Sequence, residues 1–398
     1  MSERQRVERR RGDGRSGAPE SERSERLENN ANNLAPAKRN SREIRYERRS
    51  WLWREAGLET VRKCGRVRIA PSVGLRVAGG VAGYSGLHTC GSVWACPVCA
   101  SKVLARRSIE IAEMVEAQEA SGGRLAMLTL TMRHKRGDSL TELWDNLAYA
   151  WHAVTGTKTW RNEKDRNGLL GWTKVVEVTQ GRNGWHAHLH VLLYLEESPS
   201  NQALDAWQGA IFARWSRALQ RRGERAPLLK SQDLHLIHGK AEPLAGYFAK
   251  AADTGSEMGA EMTHSAGKVA RSVYGTETPW RLLDGAISDG DAEALGKWHE
   301  WERASRGRRQ IAHSKGLREL LGLTEEVATD EEIAAEEVGT VEDETLVFDP
   351  EGWTRMVAES WLIPAVLTLA ETEGLAAVRG LLAEHGVAHR VVCGVSPP

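Results

Sequence analysis

The feature that most constrains this chain is an alternating run at 185–195, WHAHLHVLLYL. Alternate residues of a strand share a face, so His186, His188 and His190 line up on one side. Ala187, Leu189 and Val191 then face the other way. A second alternating stretch, GWTKVVEVT at 171–179, precedes it. Between them 180–184 (QGRNG) supplies two glycines and an asparagine, residues suited to a tight reversal. The two arms predict an antiparallel hairpin. Folding it about Arg182 or Asn183 sets residue 177 opposite roughly 187–189, which brings Glu177 within cross-strand reach of the histidines. Imidazoles at i and i+2 can ligate one divalent ion. A hard ion such as Mg²⁺ or Mn²⁺ also wants an oxygen donor, and Glu177 would provide it. The plain alternatives are a surface charge at Glu177 and partly buried polar histidines. Three histidines in alternation argue for the metal.

Around this hairpin the pattern is mixed. LAMLTLTM at 125–132 and DLHLI at 233–237 read as strands, and helices are expected at about 100–120, 139–155 and 203–220. Pro243 opens a helix over 244–252, followed by a Gly- and Thr-rich loop at 253–268 and helices at about 279–320. The expected fold is α+β: an antiparallel sheet with helices packed on it, an N-terminal zinc-binding element and a helical C-terminal segment. The divisions are a disordered basic tail at 1–45, the zinc element and its helix at 46–122, and a catalytic domain with helical extension at 123–322. An acidic linker at 323–350 and the helical segment 351–398 complete the chain. The tail has almost no aliphatic residues and cannot bury enough surface to fold. No apolar run reaches the ~18–20 residues of a membrane span, and no signal-peptide core is present, so a cytoplasmic protein without membrane contacts is expected.

Net charge is zero, but residues 325–398 carry 16 acidic and 3 basic side chains. The remainder is correspondingly basic, which fits a polyanion partner.

Four of the five cysteines lie before residue 100. Cys96-Pro-Val-Cys99, with Cys90 and Cys64 upstream, has the spacing of a structural zinc site with four tetrahedral ligands. His88 could replace Cys64. A zinc deaminase would need His-x-Glu ahead of the cysteines, and the residues there are His88-Thr89-Cys90. Cys393 stands apart. A further candidate pair is Tyr247 and Lys250 in GYFAK, at i and i+3 on one helical face. Near a metal–histidine site a tyrosine can attack a phosphodiester, with the lysine offsetting charge on the phosphate or phenolate.

In order along the chain, CGSVWACPVCASK, the TLT of LAMLTLTMRH, HLHVLL, GYFAK, TPWRLL (278–283) and GRRQIAHSKGLR (307–318) resemble a known set of motifs. They are those of the rolling-circle plasmid replication initiators of Gram-positive, especially actinobacterial, type, within the HUH endonuclease superfamily. The resemblance covers about residues 60–320. It implies a sheet with the histidines on a central strand and Mg²⁺ or Mn²⁺ on His188 and His190, with Glu177 as third ligand. It implies Tyr247 as the nucleophile toward origin DNA, single-stranded or in an extruded hairpin, giving a 5′-phosphotyrosine and a free 3′-hydroxyl. Host helicase and polymerase are candidate partners. Relatives often carry a termination glutamate four residues before the tyrosine. Here Pro243 holds that place and Glu242 lies one residue earlier, about 140° from the tyrosine on an ideal helix. Glu242 remains the termination candidate, and His186 a same-face residue of open role. Two rival readings are an HUH transposase or relaxase, against which the single Tyr247 beside Phe248 counts, and a zinc-dependent DNA-binding regulator without catalysis.

Overall fold

The computed structural model describes residues 41–237, 277–324 and 327–392. Tyr247, Lys250 and Glu242, the expected helix 244–252 and loop 253–268, the tail before residue 41, and Cys393 lie outside the described residues.

The hairpin forms from β4 (Leu169–Gly181) and β5 (Gly184–Leu195), with Arg182 and Asn183 as a two-residue turn. Gly184 closes that turn at a φ of +87°, where a Cβ would meet the Lys135 carbonyl at 3.0 Å. Only glycine adopts this conformation without strain. The register sets Glu177 opposite His188 and Val175 opposite His190. On the other side of β5, β3 (Arg124–Thr131) runs antiparallel and places Thr129 opposite His190. β6 (Asp233–Leu236) flanks β3 and β7 (Ile311–His313) flanks β4, so the sheet order is β6-β3-β5-β4-β7. The histidine strand is central, and its Leu- and Val-rich second half is buried on both faces.

Helices cover this sheet because each has an apolar stripe at helical spacing. α4 (Leu140–Thr155) buries Leu140, Leu143, Trp144, Leu147, Trp151 and Val154. α3 (Pro97–Ala120) starts with Pro97, whose missing N–H would have had no helical partner. α6 (Asn201–Arg221) is capped by the Ser200 hydroxyl, which accepts the Ala203 N–H. Its fully buried Trp215 donates its indole N–H to the Thr131 carbonyl at 2.8 Å. The shorter α5 (Lys158–Arg166) begins at Thr157, whose side chain accepts from the Trp160 N–H.

The region expected to be helical over 279–320 is more broken. α7 (Pro279–Ser288) and α8 (Ala292–Ser305) are followed by Gly307 at a φ of +72°. The chain there turns into β7, which satisfies the outer edge of β4, before the short α9 (Leu317–Leu320).

A second sheet has the order β2-β1-β8-β9, from β1 (Val73–Ala78), β2 (Val81–Ser85), β8 (Glu344–Phe348) and β9 (Arg390–Val391). It packs with α11 (Pro350–Ala358), α12 (Leu362–Thr372) and α13 (Leu375–Glu384) around Leu75, Phe348, Trp353 and Val366. The stretch 323–350 thus holds α10 (Asp330–Ala335) and β8 rather than running on without secondary structure. Its acids meet bases of the body: Asp330 pairs with Arg107 at 2.7 Å and Glu337 with Arg76 at 2.9 Å. α1 (Ser41–Glu55) joins both cores, giving Leu52 to the first and Trp53 to the second. The architecture is α+β with antiparallel sheets, as the sequence led us to expect. No described helix is long and apolar enough to cross a membrane.

Candidate functional site

The hairpin register assembles one donor cluster. Glu177 Oε2 stands 3.0 Å from His188 Nε2 and 3.0 Å from His190 Nε2, and the two nitrogens are 3.0 Å apart. Octahedral ligands at about 2.1 Å from an ion stand about 3.0 Å from one another, so the three atoms suit one face of such a shell. On the far side of His190, Nδ1 lies 3.3 Å from the Thr129 hydroxyl. With its proton on Nδ1, His190 donates to Thr129 and presents the Nε2 lone pair to the cluster. Burial pushes the Glu177 carboxyl up, but hydrogen bonds and charge from His188 and His190 outweigh it and hold it down at about 2. Glu177 is therefore an anion at neutral pH, as a ligand must be.

His186 shares the face but stays outside this three-donor cluster. Its ring stacks between His188 at 4.8 Å and His134 at 4.9 Å. Burial, then the neighbouring imidazoles, lowers it to about 4. Thr129 and His134 did not emerge as site residues from the sequence. Thr129 lies in the quoted TLT, and its β-strand pairing with His190 could have been drawn from that motif. His134 sits past the end of β3, and only the pairing of β3 with β5 brings it beside His186.

The second cluster joins Cys64, Cys90, Cys96 and Cys99. The sulfurs of Cys64 and Cys99 are 3.5 Å apart, Cys64 and Cys96 3.6 Å, and Cys90 and Cys99 3.7 Å. All four cysteines are free thiols. Tetrahedral ligands at about 2.3 Å from zinc stand about 3.8 Å apart, so this arrangement can close around a metal. His88 lies outside the four. Cys64 follows α2 (Glu59–Lys63), Cys90 is in the loop, and Cys96 and Cys99 open α3. Hydrogen bonds from the other three thiols, with help from the Arg49 charge, hold the Cys64 thiol well below the ordinary range. Contact with Cys64 pushes Cys90 and Cys96 up. Arg49 is 5% exposed, lies 4.3 Å over the Tyr46 ring, and makes no ion pair among the described residues. The loop is pinned by tryptophans: Trp94 donates to the Arg308 carbonyl at 2.7 Å, and Trp301 donates to the Trp94 carbonyl at 2.9 Å.

Residues 85–221 match a family described as replication protein, a span that includes three of the four cysteines and the whole Glu177–His188–His190 cluster. A "Protein rep" of Streptomyces lividans is 32% identical over an alignment of 318 positions that covers 64% of this chain and 68% of the relative. The chain belongs to the Rep family of Gram-positive plasmid replication proteins. This Rep protein is also 32% identical, over 183 residues, to a Streptomyces cyanogenus protein described as a neomycin resistance protein. That match covers 36% of this chain and 41% of the relative. No solved structure matches.

Proposed function

We propose that this Rep protein initiates plasmid replication by nicking one strand of origin DNA and later rejoining it. The convergence of Glu177, His188 and His190 in a chain of the Rep family carries the reading, because a DNA-binding regulator has no use for an oxygen-and-nitrogen cluster suited to a hard ion. Mg²⁺ or Mn²⁺ held there would polarise a phosphoryl oxygen. Structural Zn²⁺ would occupy the four cysteines.

The residues of the chain divide the remaining work. Glu177 supplies the anionic donor and fixes both imidazoles, while Thr129 holds the His190 tautomer. Tyr247 is the nucleophile. Its phenolic oxygen loses its proton to a base and bonds to phosphorus. The bond from phosphorus to the 3′ oxygen breaks, and that oxygen gains a proton to become the primer hydroxyl. The product is a 5′-phosphotyrosine, with Lys250 offsetting phosphate or phenolate charge. Glu242 is the candidate base for the closing step. Host helicase and polymerase would act on the freed strand.

A covalent-trapping assay tests this. Protein and Mn²⁺ are mixed with 3′-labelled single-stranded origin DNA and run on a denaturing gel. The expected result is label at the protein's mass that disappears with EDTA and with Tyr247→Phe. An adduct that persists in the phenylalanine variant removes Tyr247 as nucleophile. Tight binding with no adduct on any origin strand favours the regulator.

A further inference from the structure

At the opposite edge of the catalytic hairpin a cleft of about 950 Å³ lies between the cysteine loop, the α8–β7 turn and the chain leading into α10. Its charges do not cancel. Arg107 is neutralised by Asp330 at 2.7 Å and Arg308 by Asp145 at 2.7 Å. Glu59 is occupied by Lys63 at 2.6 Å. What is left on the walls, among the described residues, is Arg62, Arg306, Arg309 and Lys315 against one acid, Glu331. Arg306, Arg309 and Lys315 are exposed and make no ion pair among the described residues.

The cleft is also preorganised. The Arg308 carbonyl is held by Trp94, its guanidinium lies 5.3 Å over the Trp144 ring, and Gly307 turns at a positive φ. The turn that carries Arg306 and Arg309 is thus held at Arg308 between them. Deeper in the wall Arg318 is 8% exposed; its Nε donates to the Thr324 carbonyl at 2.7 Å and its Nη2 pairs with Glu113 at 3.6 Å, while its Nη1 has no hydrogen-bond partner. A buried guanidinium nitrogen without an acceptor is costly unless something brings one.

The cleft adjoins the metal cluster along one strand. His313, on its wall, is paired with Thr173 of β4. Glu177 lies four residues further along β4, about 13 Å at 3.3 Å per residue. That is the axial rise of about four base pairs of a duplex at 3.4 Å each.

We propose that this cleft is a second DNA-binding site, one that grips the phosphate backbone of duplex flanking the nick site, with Arg306, Arg309 and Lys315 as the outer contacts and Arg318 as the inner donor. A phosphate backbone is the ligand that two arginines and a lysine without ion pairs among the described residues suit, since Arg presents a planar fork to phosphate oxygens. The proposal rests on the reading of this chain as an origin-DNA protein, but not on Tyr247 as nucleophile.

The test compares two triple variants of the full chain that lose equal charge. Arg306→Ala, Arg309→Ala and Lys315→Ala empty the cleft. Lys158→Ala, Arg161→Ala and Arg166→Ala on α5 serve as control. Zinc content and thermal melts establish that both are folded. Affinity is measured for a labelled origin hairpin and for a short single strand covering only the nick sequence, across a series of KCl concentrations. The cleft variant should lose more than about tenfold on the hairpin and much less on the short strand. Its salt slope on the hairpin should be shallower by about 0.9 for each phosphate contact removed. The control should keep wild-type hairpin affinity. Equal losses in the two variants, an unchanged hairpin slope, or a loss as large on the short strand would each overturn the proposal, as would wild-type protein that does not bind the hairpin. The trapping assay on wild-type protein reports separately on nicking: with no adduct but a cleft-dependent hairpin slope, the nicking reading falls and the cleft stands.

Discussion

The two donor clusters of this chain are built in opposite ways. The cysteine cluster draws on α2, a loop and the first turn of α3, and three of its four residues are at most 3% exposed. Its four donors complete the set that a tetrahedral structural site takes. The Glu177–His188–His190 cluster comes from a single hairpin, has three donors among the described residues, and keeps its Glu177 side chain 21% exposed. A closed set serves to hold distant segments together, while an open set leaves room for a reacting group. The comparison predicts that the first cluster matters mainly to folding and the second mainly to chemistry.

The most direct way to break that division is to delete one donor from each. Cys96→Ser should cost several kcal/mol of stability, on the order of 4, because metal binding at a closed site is part of the folding free energy. His188→Ala removes side-chain contacts between β4 and β5 but no backbone pairing, and should cost on the order of 1 kcal/mol. Denaturant unfolding of both variants with metal present reads the difference. Similar losses would mean that the open cluster is structural too.

A smaller effect sharpens the account of the open cluster. Thr129→Val keeps the shape of the side chain and removes the hydroxyl that lies 3.3 Å from His190 Nδ1. Mn²⁺ affinity, followed by calorimetry, should weaken about tenfold with zinc content unchanged. An unchanged affinity would show that Thr129 does not set the tautomer.

The same contrast explains what the sequence made legible. Glu177, His188 and His190 belong to two consecutive strands joined by a two-residue turn, so period-two alternation and one turn were enough to bring them together. The cysteine spacing named its four residues through a chemical pattern, although Cys64 lies far from the others in sequence. β8 was not legible as a strand partner. Its register with β1 joins Leu75 to Leu346, and the surrounding acids made the stretch read as a linker. Those acids are matched by Arg76 and Arg107, bases that lie hundreds of residues away and that no local pattern connects to them. β7 was read as helix for a similar reason, since three residues show no period and only the open edge of β4 makes them a strand. His134 needs the β3–β5 pairing before it can be seen beside His186.

A still smaller effect concerns the charge of the closed cluster. Four thiolates around one zinc ion leave a net charge of −2, and Arg49 is the buried cation beside them with no ion pair among the described residues. Arg49→Met should speed zinc transfer to a competing chelator several-fold, while Arg49→Lys, which keeps the charge, should restore much of the retention. If methionine releases zinc no faster than arginine, Arg49 is held there by its aromatic neighbours and not by the thiolates.

The least effect should come from a pair that belongs to neither cluster and so sets the baseline for acid sensitivity. Arg42 meets both Glu371 oxygens at 2.7 Å, and the Ala82 N–H donates to the same carboxylate at 2.9 Å. The contact ties α1, the β1–β2 hairpin and α12. The Arg42 hydrogen bond holds the Glu371 carboxyl below its usual value of 4.5 against a smaller opposing push from burial. A carboxyl whose folded value is lowered binds protons more weakly than the unfolded chain does. Its contribution is therefore complete above about pH 4.5 and is lost as pH falls through the lowered folded value. Glu371→Gln should cost at most about 1 kcal/mol at neutral pH, the range for partly exposed pairs, and should flatten the stability profile on the acid side of 4.5. The flattening should be the same in metal-loaded and in EDTA-treated protein, because no ligand of either cluster takes part. If it vanishes with the metal, the second sheet is coupled to the cysteine cluster through α1, and the two regions cannot be treated as independent.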